Sequence, residues 1–213
     1  MILSPGRKFL FIHIPKTGGT SMALALEARA MADDVMAGDT PKAVRRRKRA
    51  KALPARGRVW KHSTLRDLDG VPGLGDLFVF TLVRNPWDRM VSYYTWLREQ
   101  TWSHPAVDLA KTRRFSEFLN HPDTRRTIQA NPYESYVTDA AGQMRCDLFI
   151  RLEHLATDMV PLCAHLGFEP ELPHANRSAR AASYRDSYSE SDANLVAELC
   201  AADIARFDYR FDS

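Results

Sequence analysis

The chain has 213 residues, of which 45% are hydrophobic, 26% charged and 10% aromatic, and its 30 basic and 26 acidic side chains give a formal charge of +4. A composition so close to the globular average excludes disordered, collagen-like and low-complexity classes, and no apolar run approaches the roughly 18 residues of a bilayer-spanning helix. The length predicts a single domain over residues 1–213, and an N-terminus without a signal-peptide pattern makes the cytoplasm the expected compartment.

Lys8–Ile14 (KFLFIHI) is rich in aromatic and β-branched residues and runs straight into Pro15, which predicts a buried strand with an abrupt end. Gly18 and Gly19 predict a turn. From Thr20 the run TSMALALEARAMA is dense in strong helix formers, with Thr20 or Ser21 placed to cap the first turn. The next segment, Pro41–Arg58, holds nine basic residues and no acid, whereas the rest of the chain carries 21 basic and 26 acidic side chains. The positive charge is therefore local, and the cations from Lys42 to Arg58 form either a solvated face or an attractor for polyanions and phosphates. With no aromatics interleaved to stack on bases, a nucleic-acid partner is not expected.

Leu77–Val83 (LFVFTLV) follows a Gly-Pro-rich turn and is almost wholly apolar, the pattern of a strand buried on both faces of a parallel sheet. Arg84 and Asn85 come next, and Pro86 suits the first position of a helix that packs Trp87, Val91 and Tyr94 inward. Short helices are predicted at Phe115–Asn120 and around Thr127. A hairpin or strand about Ala141–Gly142 should lead to a helix from His154 to Leu166, stopped by Gly167. Ser189–Phe207 reads as one helix with a capping box at Ser189 and Asp192, followed by a docking tail of Phe207, Tyr209 and Phe211. Cys146, Cys163 and Cys200 lie far apart without a C-x-x-C pair, so they are expected to be reduced and mostly buried. Two buried strands that each feed a helix predict a three-layer α/β fold around a small parallel sheet.

The first strand-to-helix turn, Pro15–Ser21 (PKTGGTS), carries the chemistry. Free N–H groups at a helix start, two glycines that let backbone approach an anion, and the Lys16 cation make a phosphate cradle from Lys16, Thr17, Gly18, Gly19, Thr20 and Ser21. A nucleotide-dependent kinase of the P-loop type places its lysine after the second glycine and holds magnesium with an aspartate on another strand. Here Lys16 precedes the glycines and the second strand ends in Arg84, so the kinase is the weaker reading. A non-catalytic polyanion-binding module built on the basic segment is the alternative from a different class.

The segment F-I-H-I-P-K-T-G-G-T-S (11–21) resembles the 5′-phosphosulfate loop of sulfotransferases that use 3′-phosphoadenosine 5′-phosphosulfate (PAPS). L-V-R-N-P-W-D-R-M-V-S-Y-Y (82–94) is similar to that family's 3′-phosphate motif, which implies that Arg84 and, eight residues on, Ser92 hold the 3′-phosphate. About two helical turns separate them, so both can face one side, and an arginine fork suits phosphate. The segments N-R-S-A-R (176–180), Y-R-D-S-Y-S (184–189) and D-I-A-R-F-D-Y-R-F (203–211) extend the resemblance to sulfotransferase family 2, the group of the heparan and dermatan/chondroitin 2-O-sulfotransferases and many bacterial members. The resemblance implies nucleotide contacts from Ser178 and Arg180, PAPS as sulfuryl donor, and no metal.

A hydroxyl acceptor must lose its proton, and histidine is the side chain suited to take it. His62, in V-W-K-H-S-T and 22 residues before Arg84, resembles the 2-O-sulfotransferases' catalytic histidine; a core or capping histidine is the alternative. Those enzymes carry a second histidine where this chain has Trp60 and an arginine where it has His13. In-line transfer is expected, with His62 as base and Lys16 stabilising the departing 5′-phosphate oxygen. The acceptor stays open between a carbohydrate, an anionic glycan above all, and other hydroxylated metabolites. Oligomerisation is one way for so short a chain to complete an acceptor wall.

Overall fold

The computed structural model describes residues 1–173 and 183–212. They fall into two compact units, Met1–Val83 with Tyr133 onward, and Arg84–Pro132 with the C-terminal segment.

The first unit is built on five strands, β1 (Ile2–Ser4), β2 (Phe9–Ile12), β3 (Val35–Met36), β4 (Phe78–Val83) and β5 (Leu148–Arg151), in the order β3-β1-β2-β4-β5. β2, β4 and β5 run parallel, with Ile12 beside Thr81 and Val83 beside Arg151. β1 is antiparallel to both β2 and β3. The predicted parallel sheet is therefore present but extended on one side by two short antiparallel strands, and the expected strand at 8–14 covers only 9–12. Helices α1 (Gly19–Ala28), α2 (Pro41–Lys51), α8 (Leu155–Asp158) and α9 (Val160–Leu166) belong to this unit, as does the short α7 (Tyr133–Val137). Phe9, Phe11, Phe80, Leu82 and Ile150 from one sheet face cluster with Met22 and Leu26 of α1 and Leu162 of α9. Leu10, Ile12, Val79 and Thr81, on the opposite face, are buried as well, as a parallel sheet requires. The Thr81 hydroxyl, buried between strands, donates to the Ile12 carbonyl at 2.7 Å.

The second unit is helical: α3 (Pro86–Arg98), α4 (Pro105–Thr112), α5 (Phe115–Asn120), α6 (Pro122–Ala130), α10 (Glu190–Leu199) and α11 (Ala201–Phe207). Asn85 caps α3 by accepting from the Trp87 amide, and the Trp87 indole donates to the Ala193 carbonyl. Tyr188 donates to the Trp87 carbonyl and Tyr184 to that of Phe211, whose ring meets Trp87, Tyr184 and Tyr188 edge-on, so the aromatic tail docks as expected.

Several local expectations need correction. Gly18, not Thr20 or Ser21, caps α1, with no side-chain cap bond. The helix expected from 154 to 166 breaks at Met159, because Pro161 in the first turn of α9 has no N–H to continue α8. The helix expected from 189 to 207 breaks at Cys200, where φ is −110°. Ser189 accepts from the Asp192 amide as predicted, while the Asp192 carboxylate takes the Ser189 hydroxyl rather than closing the box. All three cysteines are free thiols but half-buried rather than buried. Among the described residues no helix is long and apolar enough to cross a membrane.

Candidate active site

The Pro15–Ser21 turn leaves the buried end of β2 and delivers the chain into α1. Lys16 at φ 67° and Gly18 at φ 85° are both left-handed and flank Thr17, an alternation that turns successive N–H groups toward one concavity. The first turn of α1 has neither a side-chain cap nor an acidic residue, so its positive pole is left for an anion. The two glycines are required for different reasons. A Cβ on Gly18 would lie 2.8 Å from Leu152, just beyond β5, whereas one on Gly19 would lie 2.1 Å from Cδ2 of His13. The Thr17 hydroxyl is spent inside the protein, donating to the Ile14 carbonyl at 2.9 Å, so Thr17 offers an anion its amide and not its side chain.

His62 is brought to the same place. Its Nδ1 lies 2.7 Å from the His13 carbonyl oxygen, and the two rings meet edge-on with centroids 4.6 Å apart. A carbonyl only accepts, so Nδ1 of His62 carries the proton and Nε2 keeps its lone pair, the tautomer a general base needs. Burial is the chief cause that pushes His62 down to about 4, the bond to His13 opposing it and the Lys61 ammonium adding to it. Burial, then the neighbouring His62, holds His13 well below the ordinary histidine range. Trp60, in place of a second histidine, stands edge-on to His62 and under the Arg58 guanidinium. The Met1 amino group donates to the carbonyls of Ala37 and Lys61, fixing the segment that carries His62.

In the second unit Arg84, directly after β4, is buried, and its Nε and Nη2 donate to Asp88 Oδ2 at 2.7 and 2.5 Å. Asp88 and the buried Ser92, four residues apart, share one side of α3, and Arg84, two residues before the helix, is tied to it through Asp88. A family model described as "Sulfotransferase family" matches residues 1–210.

The chain belongs to the sulfotransferase family. Its fold agrees: the crystal structure of mouse sulfotransferase SULT7A1 complexed with PAP superposes with a TM-score of 0.54 at 16% identity, over 95% of this chain and 85% of that one. No curated protein matches the sequence.

Of the residues expected from sequence, Lys16 to Ser21 form the turn and the start of α1, His62 stands beside the strand that enters it, Arg84 lies two residues before α3 and Ser92 within it. Ser178 and Arg180 lie outside the described residues. Two residues were missed. His13 has no sequence signal for its place beside His62, and Asp88, which holds the Arg84 fork, is signalled only by its i, i+4 spacing from Arg84. Residues 41–51 of the basic segment form the helix α2, with Arg56 and Arg58 beyond it, and several of the helix cations already serve the backbone: Lys42 Nζ donates to the Glu27 carbonyl, Arg46 to that of Met31 and Arg49 to that of Ala32.

The histidine pair makes stability depend on pH. His62 takes up a proton near pH 6.5 when unfolded but only near 4 when folded, so acid favours the unfolded chain across that window and stability is restored above it. The loss at pH 4 is of the order of 3 kcal/mol from His62, with His13 adding to it. Urea unfolding between pH 7 and 4 should show this slope, and His62→Gln should flatten it; an unchanged slope would mean that His62 titrates normally.

Proposed function

We propose that the protein transfers the sulfuryl group of PAPS to an acceptor hydroxyl, with residues 15–21 holding the 5′-phosphosulfate, Arg84 and Ser92 the 3′-phosphate, and His62 acting as base. The observation that carries the reading is the loop: a left-handed pair, an uncapped helix start without acid, Lys16, and two glycines whose side-chain space is already filled by Leu152 and His13. That donor set fits a phosphosulfate. The family match spans both units and supports one catalytic domain over 1–213. Three free thiols support a reducing, cytoplasmic setting.

When bound, the donor supplies an activated sulfuryl group: the S–O bond to the 5′-phosphate breaks, the phosphate oxygen keeping the electron pair, and an S–O bond to the acceptor forms. The chain's own residues do the rest. Lys16 and the N–H groups at the start of α1 stabilise charge on the departing oxygen. His62 Nε2 accepts the acceptor proton, while its Nδ1–H, tied to the His13 carbonyl, keeps the ring aimed. Asp88 holds the planar Arg84 fork ready for the 3′-phosphate.

Calorimetry with 3′-phosphoadenosine 5′-phosphate (PAP), ADP and ATP·Mg²⁺ tests the reading. Metal-free PAP binding is expected, weaker by about 10- to 100-fold without the 3′-phosphate or after Arg84→Ala, as loss of charged hydrogen bonds predicts. Arg84→Ala is best made with Asp88→Asn, which alone serves as control, so that no charged carboxylate is left buried. Preference for ATP·Mg²⁺ would return the kinase reading, and binding that ignores the 3′-phosphate the polyanion module.

A further inference from the structure

Helix α2 turns two buried residues, Ala43 and Ala50, inward and packs against β3. Two helical turns separate those alanines, which leaves Pro41, Val44, Arg45, Lys48 and Lys51 on the side facing away, all of them exposed. Val44 keeps 51% of its surface in solvent. Arg45, Lys48, Lys51 and the flanking Arg47 have no hydrogen-bond or ion-pair partner among the described residues, whereas Lys42, Arg46 and Arg49 donate to carbonyls. Nearby acids do not neutralise this side: Asp39 is paired with Lys61, and Glu27 is buried with its carboxylate on the Lys42 amide. Arg45 with Lys48, Lys48 with Lys51 and Arg47 with Lys51 stand at spacings of three and four, where like charges weaken a helix. Lys48 and Lys51, in the last turn, are helped by its negative pole, but Arg45 and Arg47 are not. A ridge of about 16 Å with this repulsion on its exposed side is stabilised by an anionic surface laid against it.

We propose that this side of α2 docks the protein on an anionic lipid bilayer, with Arg45, Arg47, Lys48 and Lys51 on the headgroup phosphates and Val44 among the headgroups. The inference is independent of the donor reading above. Charge complementarity calls for an anion, and Val44 decides which kind. An apolar side chain set between cations leaves water when the ridge lies in a bilayer interface, but stays in water along a soluble polyanion. A nucleic acid is disfavoured further, since no aromatic side chain occurs from Pro41 to Arg58 to stack on a base. Attachment by a few charges is reversible and sensitive to salt.

The test is cosedimentation of the full chain with phosphatidylcholine vesicles, pure or carrying about 30% phosphatidylglycerol, at about 50 and 500 mM salt. Polyglutamate and a single-stranded oligonucleotide serve as soluble competitors. Binding to the anionic vesicles alone is expected, weaker by about tenfold or more at the higher salt. Arg45→Glu with Lys48→Glu should weaken it by at least about tenfold, since each cation near such a surface contributes about fivefold. Val44→Ser should weaken it severalfold while capture by polyglutamate is unchanged. Arg45→Gln with Lys48→Gln repeats the measurement if circular dichroism shows that the reversed charges disturb folding. No binding to the anionic vesicles at low salt, equal binding to pure phosphatidylcholine, or equal binding by wild type and the charge variants would each overturn the inference. So would release from the vesicles by either competitor at a matched concentration of negative charge, which would assign the ridge to soluble polyanions.

Discussion

Replacement of His62 by alanine is expected to lower kcat by about 10²- to 10⁴-fold, the range associated with loss of a general base, while PAP affinity stays within about twofold. The separation follows from where His62 stands. Among the described residues its one polar tie is Nδ1–H to the His13 carbonyl, a contact with the segment that enters the loop and not with the loop amides. The free-protein value of about 4 makes Nε2 a weak base, but a phosphosulfate bound nearby brings negative charge that favours the imidazolium and raises it. The acid limb of kcat should therefore fall above the titration of His62 measured without ligand, which NMR of the imidazole reads directly. Full activity in His62→Ala would remove it from the mechanism and leave His13, whose ring faces the same region, as the histidine to test.

Gly19→Ala is the second large effect, and it should damage both folding and turnover. The added methyl would meet His13 at 2.1 Å from Cδ2 and 2.4 Å from Nε2. The ring is flanked by Phe11, stacked at 5.8 Å, and by His62 at 4.6 Å, so the clash is relieved only by shifting it off these contacts. Overpacking of this kind costs about 1–3 kcal/mol. Since the displaced ring belongs to the residue that aims His62, we expect kcat/KM to fall by well over an order of magnitude, a misplacement cost of the kind expected near reacting groups. A double variant, His13→Ala with Gly19→Ala, separates the causes. Removing the ring removes the clash, so stability should recover relative to Gly19→Ala alone, giving a coupling of at least about 1 kcal/mol in the cycle. Additive losses would show that the alanine acts through the loop backbone instead.

The parts of the fold legible in the sequence were those with strong local signals. Leu77–Val83 is a long apolar run, and six of its seven residues form β4. Phe115–Asn120 is a helix with the predicted bounds, and Gly167 ends α9 in the left-handed conformation. β1 and β3 were invisible because three and two residues carry no period, and they exist only through pairing with β2 and with each other. The break at Cys200 was not legible because the flanking residues are good helix formers, whereas the one at Met159 is written in Pro161. At the site, the loop and the Arg84–Ser92 spacing were written in contiguous residues. The pairing of His13 with His62 was not, since 49 residues separate them and only the sheet brings them together. Asp88, four residues from Arg84, was legible in principle.

The bond that aims His62 ends on a main-chain oxygen, and this has an evolutionary reading. Whatever side chain occupies position 13, its carbonyl stays just past the end of β2, so a substitution there leaves the tie to His62 Nδ1 in place. A lineage of such proteins can therefore vary the side chain at position 13 in single steps, each intermediate still holding His62 in register, provided that the glycine at 19 leaves room for the newcomer.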